Sequence, residues 1–377
     1  MSTKLTPPIE KLIEQVKQAT ELGSSYVIEG HATKSAIWKP EKGDLLSTKA
    51  LNQVVEYDPS ELVVTVQAGV SIVALEALLA ESGQRLSFEP PLYAGQSPEN
   101  KGTVGGMIAS GLAGPRRPWS GGVRDSVLGL HLISGRGEYL RFGGQVMKNV
   151  AGYDVSRLMV GAMGCLGLIT QVSLKVQPLP QGVSCYSWAC STTELLDRYA
   201  GWQRSMNPIS GLAHDGSRAY LRLEGGLDSC SLFASRNDLT RCTGIKNNGD
   251  FWAGLRNHSL PFFEGDLPLW RLSVPPLTDL ASVLESHSVS YLMDWAGAQY
   301  WVRAEQTDFL RQLVTQHGGS MRSYSCTNEA DRNVAGSARG SVALGDMNGS
   351  ILLIHQRLKS AYDPNGVFNV GALHESL

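Results

Sequence analysis

The fold of this chain is decided by one glycine-rich stretch, Lys101-Gly-Thr-Val-Gly-Gly-Met-Ile-Ala-Ser-Gly111. Three glycines precede a run of small residues there, so the backbone can turn sharply and direct several N–H groups toward one anion. A pyrophosphate suits such a site. We therefore expect a phosphate-bearing cofactor to contact Gly102, Thr103, Val104, Gly105, Gly106, Ala109, Ser110 and Gly111.

Two common phosphate-binding motifs are absent from this stretch. Its glycines do not follow the order G-x-G-x-x-G, and no acidic residue lies about 20 residues beyond a leading strand, which excludes the Rossmann motif. No Gly-Lys-Ser/Thr follows the glycines, which excludes a P-loop.

Glycine is unusually dense around this stretch. Residues 95–167 contain 17 glycines in 73 residues, whereas average usage of roughly 7% would give about 5. One explanation is a series of tight turns. The other is a backbone that approaches a large ligand closely, which only a residue without a Cβ permits.

Helices and strands alternate in the N-terminal part of the chain. Apolar residues recur at helical spacing over Ile9–Val16, and Gly23 ends this predicted helix before a strand at Tyr26–Ile28. A second strand is predicted over Leu62–Val66. The helix predicted after it has Ser71 as its N-cap and ends at Gly83.

The boundary between two domains is predicted at a proline pair. Residues 168–177 alternate between apolar and polar positions, the pattern of a strand with one buried face, and Pro178 and Pro180 end it. A chain of 377 residues is also too long for one ordinary core. We expect domains at residues 1–178 and 179–377.

Composition excludes several classes of protein. The chain is 42% hydrophobic and 18% charged, as in soluble globular proteins. Its net charge is -2, and it has no long run of Lys or Arg, so a nucleic-acid partner is not expected. The sequence has neither a signal-like start nor an apolar run of about 18 residues, which favours a cytoplasmic protein.

The cysteines and histidines predict no metal site. None of the 6 cysteines has the two-residue spacing that binds zinc or an iron–sulfur cluster, so we expect reduced thiols. The 8 histidines include no His-x-His and no HExxH.

Three blocks in chain order resemble the flavin domain of the vanillyl-alcohol oxidase and p-cresol methylhydroxylase superfamily. They are Gly102–Gly106, Lys148–Asp154 and Gly161–Thr170, and the resemblance extends over most of residues 25–178. It implies a PCMH-type domain of two subdomains that hold FAD between them, with main-chain N–H groups on the phosphates and small residues against the rings. Further FAD contacts are then expected at Lys148, Tyr153, Asp154, Gly161, Gly164, Gly167 and Ile169.

The first phosphate loop of that family corresponds to Gly30-His31-Ala32-Thr33-Lys34, and all five residues are expected to contact FAD. The family loop usually reads Gly-Gly-Gly-Ser/Thr-Lys, so two glycines are replaced here. Either the loop tolerates Cβ atoms, or FAD is held less tightly than in relatives. Related oxidases with a Gly-Gly-His loop attach the flavin covalently, but alignment on Thr33-Lys34 places His31 one residue early, which favours non-covalent FAD.

Within the superfamily, the chain resembles the E-subunit family of glycolate oxidases. The resemblance rests on Phe88–Pro91, Gly114–Arg117, Asp125–Gly137 and a short C-terminal half. Asp363–Asn369 resembles a stretch that ends a helix and returns toward the flavin domain, although Asp-Pro and Asn-Gly also suit a plain helix stop.

This resemblance implies an FAD-binding redox subunit that supports 2-hydroxy acid oxidation. The implied partners are a catalytic flavin subunit and an iron–sulfur subunit of a glycolate oxidase-type complex, with membrane contact only through them. The implied fold is α+β, a flavin domain followed by a reduced α+β cap. Two alternatives stay open, a self-sufficient FAD-dependent oxidoreductase of another small hydroxy acid or alcohol, and a structural subunit that has lost tight flavin binding.

Catalytic residues cannot be assigned from the sequence. Hydroxy-acid oxidation needs a base for the hydroxyl proton and cations for the carboxylate. The family's catalytic subunit supplies clustered histidines and an arginine from its second domain, and no matching cluster follows residue 180. Arg116 and Arg117 follow the flavin loop, where they would either neutralise the pyrophosphate or meet a substrate.

Overall fold

The chain forms two compact units. The computed structural model describes residues 5–35, 43–93, 100–144, 154–204, 207–239, 248–324, 349–374 and 376–377. The first unit contains residues up to 112, residues 122–178 and the C-terminal residues from 349 onward, and the second contains residues 113–121 and 179–324.

This division differs from the predicted one at two segments. The boundary at residue 178 is the same, but residues 113–121 belong to the second unit and the C-terminal residues to the first. The C-terminal helix joins the first unit because its buried Lys359 donates a hydrogen bond to the carbonyl of Cys165, 2.9 Å away. Sequence position alone does not reveal a contact between residues so far apart.

The described residues form both α-helices and β-strands. The helices are α1 (Pro7–Leu22), α2 (Ile72–Glu81), α3 (Val104–Ser110), α4 (Arg117–Ser120), α5 (Val123–Ser126), α6 (Val155–Leu158), α7 (Thr192–Trp202), α8 (Leu227–Arg236), α9 (Asn248–Asn257), α10 (Ala281–Ser286), α11 (Asp308–Gln316) and α12 (Gly349–Tyr362). The strands are β1 (Tyr26–Glu29), β2 (Asp44–Ser47), β3 (Val54–Asp58), β4 (Val63–Gln67), β5 (Gln84–Leu86), β6 (Val127–Ile133), β7 (Tyr139–Gly143), β8 (Leu168–Pro178), β9 (Gly182–Ala189), β10 (Ile209–His214), β11 (Arg218–Gly225), β12 (Leu269–Ser273), β13 (Tyr291–Asp294), β14 (Gln299–Arg303) and β15 (Ser320–Ser323). No helix in this described part of the chain is both long enough and apolar enough to cross a membrane.

The first unit combines a small parallel sheet with a larger antiparallel one. Strands β1 and β2 pair in parallel, while the larger sheet has the order β3-β4-β8-β6-β7, with β5 also paired to β8. Helix α1 buries Ile9, Leu12, Val16 and Ala19 in a core that also contains Phe368 from the C-terminal segment. The C-terminal segment is therefore part of the first hydrophobic core.

The second unit is built on one antiparallel sheet of seven strands. Its order is β15-β12-β14-β13-β10-β11-β9. Apolar side chains from one face of this sheet, including Leu221, Leu272 and Tyr300, pack with Leu195 of α7 and Leu310 of α11. The α+β class predicted from the sequence is confirmed.

The predicted elements are present, with one difference in burial. Helix α1 ends at Gly23, whose φ of 63° is left-handed, and β1, β4 and α2 lie where the patterns placed them. Strand β8 was predicted to have one buried face, yet Ile169 and Ser173 on its other face are buried as well. The reason is that β8 is an interior strand with α3 and α5 packed against it.

Candidate functional site

A cleft opens in the first unit beside the end of β1, helix α3 and the loop before β8. It encloses about 950 Å³, including its open mouth. Thirteen of the predicted cofactor-binding residues line it. They are Gly30, His31, Ala32, Thr33, Lys34, Thr103, Gly105, Gly106, Ala109, Ser110, Gly164, Gly167 and Ile169.

Five predicted contact residues do not line this cleft. Gly102 and Val104 are buried, and Val104 is the first residue of α3, whereas Gly111 ends α3 with a left-handed φ of 61°. Asp154 caps α6, where its carboxylate accepts the N–H of the third helical residue. Gly161 donates its N–H to a carbonyl of α3. The remaining two predicted residues, Lys148 and Tyr153, lie outside the described residues.

The N–H groups at the start of α3 do not form the anion site that the sequence predicts. Val104 and Gly105 donate to the carbonyls of Val70 and Ala68, at 2.9 and 2.7 Å. Gly106 donates to the hydroxyl of the helix N-cap, at 3.3 Å. Because these donors already have acceptors, the glycine loop shapes the cleft rather than binding an anion with its amides.

The glycines of the cleft serve two different purposes. A Cβ on Gly105 would lie 2.9 Å from the Cβ of Ala68, so this glycine permits close packing of the chain itself. A Cβ on Gly106 would lie no closer than 3.4 Å to any other atom, and Gly106 shares its helical face with Ala109 and Ser110. Because Gly106 has no side chain, a flat cofactor in the cleft could approach the backbone of α3 at this residue.

The first loop provides the donors that α3 does not. Ala32 has a left-handed φ of 56°, which is uncommon for a residue with a Cβ. Among the described residues, no acceptor lies within hydrogen-bond distance of the backbone N–H groups of residues 31–34. His31 and Ala32 stand where the family loop usually has glycines, and Ala32 adopts the left-handed conformation.

The charges at this loop favour an anion. Burial lowers the pKa of Lys34 to about 8, and its ammonium group lies 5.9 Å from the centre of the Tyr93 ring. Burial, together with the ammonium groups of Lys49 and Lys34, also lowers the pKa of His31. Nδ1 of His31 is buried without a hydrogen-bond partner in the described part of the structure.

These features fit a dinucleotide with a pyrophosphate. A buried ammonium group and adjacent backbone donors match phosphate oxygens, and the bare face of α3 leaves room for a ring system.

Sequence reasoning missed eight residues that line the cleft. They are Val27, Ile28, Glu29, Ser35, Thr48, Met163, Asn369 and Ala372. Most of them flank predicted blocks. Asn369 had a signal of its own, because it closes the Asp363–Asn369 stretch, and the structure shows that this stretch both ends α12 and returns to the first unit.

The described part of the second unit shows no catalytic cluster. Arg116 belongs to this unit and forms a bidentate ion pair with Glu224, at 3.0 and 2.9 Å, while Arg117 stacks on Trp295 at 4.6 Å. Neither arginine therefore lines the cleft, although the sequence placed both beside the flavin loop. Across the described residues, no group of three or more His, Cys, Asp or Glu side chains could hold a metal ion, and no disulfide bond joins the four described cysteines.

Comparisons with known proteins agree with this site. A family model for an FAD binding domain matches residues 8–143, which include both loops of the cleft. The chain is 40% identical over 372 residues to the glycolate oxidase subunit GlcE of Escherichia coli (strain K12), with 98% of each chain covered. It is 37% identical over 141 residues to the glycolate oxidase subunit GlcD of Bacillus subtilis (strain 168), covering 37% of this chain and 29% of that one.

A solved structure supports the fold. An alkyldihydroxyacetonephosphate synthase overlaps 96% of this chain and 75% of its own length, with a TM-score of 0.64 and 15% identity. At that identity the likeness concerns the fold alone. Together, these matches confirm the predicted superfamily fold, the FAD cofactor and the class of FAD-dependent oxidoreductases.

Proposed function

Because the chain belongs to the family of the glycolate oxidase subunit GlcE, we propose that it is the FAD-binding redox subunit of a complex that oxidises glycolate or a similar 2-hydroxy acid. Its first unit holds FAD in the cleft, with the pyrophosphate at the loop of residues 30–34. When bound there, FAD supplies the capacity to take up and release electrons.

One observation carries the assignment of the cleft. The loop of residues 30–34 combines backbone donors that have no described acceptor with the buried ammonium group of Lys34. A cation that is largely removed from water is costly unless it is paired, and a pyrophosphate would pair with this one. The family's usual glycines would give the same backbone geometry without Cβ atoms, so Ala32 in its left-handed conformation supports a retained cofactor loop.

The chain's own residues bind and orient the cofactor in this proposal. Lys34 and the adjacent N–H groups hold the phosphates, while Gly106 and Gly164 allow the rings to approach the backbone. Gly164 must remain a glycine, because its φ is +74° and a Cβ there would lie 2.6 Å from Nδ2 of Asn369.

The partners follow from the family. We propose that a catalytic flavin subunit accepts the hydroxy acid and that an iron–sulfur subunit carries electrons onward. Cysteine spacing here suits no cluster, which agrees with an iron–sulfur centre in another chain. We further propose that the complex works in the cytoplasm and reaches a membrane only through these partners.

Co-purification tests this function. The native protein should copurify with a second flavoprotein and an iron–sulfur protein, both identified by mass spectrometry, and the isolated chain should show flavin absorption bands. Flavin bands without either partner would favour the self-sufficient oxidoreductase. A complex in which this chain carries no flavin would favour the structural subunit.

FAD affinity should depend on pH through Lys34. Burial lowers the Lys34 pKa to about 8 in the free protein, and a bound pyrophosphate favours the charged form, so affinity should be constant below pH 8. Above pH 8 the free ammonium loses its proton, and affinity should fall, approaching about tenfold per pH unit for one linked proton. Fluorescence titration of the apoprotein with FAD between pH 6.5 and 9.5 measures this.

Lys34→Arg is the matched control, because a guanidinium stays charged throughout this range. Its FAD affinity should change little with pH. An equal pH dependence in the wild type and in this variant would assign the effect to another group.

FAD should be held without a covalent bond. His31 lies one position away from the histidine of the covalent family loop, so heat or acid should release the flavin into the supernatant. A yellow acid-precipitated pellet in the wild type that turns colourless in His31→Ala would contradict this expectation and identify His31 as the attachment site.

A further inference from the structure

Asn369 connects two walls of the cleft. Its Oδ1 accepts the N–H of Ile28 in β1, at 2.8 Å, and its Nδ2 donates to the carbonyl of Met163, at 2.6 Å. Its backbone N–H also donates to the carbonyl of Tyr26, at 2.9 Å. The side chain is 7% exposed and lines the cleft, so one amide group fixes the separation of β1 from the loop before β8.

A buried ion pair behind the cleft holds this asparagine in place. Nζ of Lys359 contacts Oδ2 of Asp363 at 2.6 Å, the carbonyl of Cys165 at 2.9 Å and the carbonyl of Phe368 at 3.0 Å. An ammonium group has three donors, and all three are used. Asp363 in turn accepts the N–H groups of Val367 and Phe368, at 2.8 and 2.9 Å.

This arrangement is more than a helix stop. A helix can end at Asp-Pro and Asn-Gly without a buried charge pair, whereas here Asp363 is 1% exposed and Lys359 is 8% exposed. The bonds of this pair fix the backbone at Phe368, the residue before Asn369. Neither charged residue lines the cleft.

We propose that Lys359, Asp363 and Asn369 form a positioning unit, here called the C-terminal tie, that sets the width of the FAD cleft and thereby the affinity for FAD. The inference rests on the proposed location of FAD in that cleft. Asn369 acts at the cleft wall, and the two charged residues act through it.

The physical basis is preorganisation. Without the Asn369 amide, the N–H of Ile28 and the carbonyl of Met163 lose their partners, and unpaired buried groups are unfavourable. The two walls can then separate or close on each other, and binding must restore their spacing. Ligand affinity falls by the free energy needed for that ordering.

The test uses two variants of the tie and a control. Asn369→Ala removes the amide, and the double variant Lys359→Met with Asp363→Leu removes both remote charges together, so that no unpaired buried charge remains. Leu79→Ala is the control, because Leu79 is a buried residue of α2 that does not line the cleft. FAD dissociation constants of the apoproteins and the denaturant midpoints of unfolding without FAD are measured for each.

Both tie variants should bind FAD about 10- to 100-fold more weakly than the wild type, the range expected when one or two buried hydrogen bonds are lost. Leu79→Ala should lower the unfolding midpoint but change FAD affinity less than twofold. Asn369→Asp keeps the acceptor and the shape but loses the donor to Met163, and it should also weaken FAD binding if Asn369→Ala does not fold.

Three results would overturn the proposal, and they are distinguishable. Unchanged FAD affinity in the tie variants, with affinity lost in Gly106→Leu, would reject the tie while leaving the cleft as the FAD site. Unchanged affinity in Gly106→Leu as well would reject the cleft itself. If FAD affinity falls as much in Leu79→Ala as in the tie variants, the tie affects FAD binding only through the general stability of the fold.

Discussion

Gly106→Leu should lower FAD affinity about 10- to 100-fold and leave the first unit folded. Gly106 lies inside α3 on the face that lines the cleft, and a Cβ there would make an ordinary contact with the N-cap hydroxyl, 3.4 Å away. Leucine is a better helix former than glycine, so the helix should tolerate the change. The new side chain would occupy cofactor space, and overpacking a site costs about 1–3 kcal/mol.

Gly201→Leu is the matched control for this variant. Gly201 also lies within a helix, α7, and a Cβ there would meet no atom within 4 Å. The two variants share the same substitution and the same secondary structure, but only one faces the cleft. Equilibrium titration with FAD should separate them, and equal affinities would contradict the site.

The isolated, FAD-loaded chain should not turn over glycolate at a significant rate. A hydride can leave the substrate carbon only if a base accepts the hydroxyl proton and a cation holds the carboxylate, and each such group typically contributes about 10²- to 10⁴-fold. Two histidines of the second unit, one buried and one half-buried, do not provide that base. His214 donates from Nε2 to the carbonyl of Cys190, and His258 lies among aromatic rings with its pKa lowered to about 3 by burial and by Arg271.

Dye reduction with glycolate measures this expectation. Rates are compared between the isolated chain and the reconstituted complex at equal FAD content, with activity expected only in the complex. Variants of the catalytic flavin subunit should abolish the activity of the complex. If the single chain turns over glycolate at a rate close to that of the complex, the alternative hypothesis of a self-sufficient oxidoreductase is favoured.

Local patterns predicted the elements of the first unit well. The apolar spacing of Ile9–Val16 and the glycine at position 23 suffice to place α1, because helix periodicity and a left-handed C-cap are local properties. The alternation in residues 168–177 placed β8 for the same reason. Its second buried face was not predicted, because an interior position in the sheet depends on distant strands.

Thirteen of the residues that the sequence predicts as cofactor contacts line one cleft. The close approach of a ligand to the backbone along α3, which glycine density predicts, stays a prediction. However, the donors of that loop are used by Val70 and Ala68, and the glycine at 105 is required for packing on Ala68. Those contacts depend on tertiary structure. The sequence alone therefore could not distinguish glycines that would contact the cofactor from glycines that permit close packing within the chain.

The contacts of the C-terminal segment with the cleft also could not be predicted from local sequence patterns. Asn369 bonds to Ile28, 341 positions away in the chain. The Asp-Pro and Asn-Gly turns are visible in the sequence, but they are compatible with either a plain stop or a return to the first unit. Only the buried Lys359–Asp363 pair and its bonds distinguish the two.

The number of FAD molecules bound per chain tests the central claim most directly. The purified chain is saturated with FAD, freed of excess by gel filtration, and its visible flavin absorption is compared with its protein concentration, for the wild type and for Gly106→Leu at the same FAD concentration. A cleft that holds FAD predicts one molecule per wild-type chain and much less than one per variant chain. No FAD on the wild type, or full occupancy of both proteins, would contradict the account.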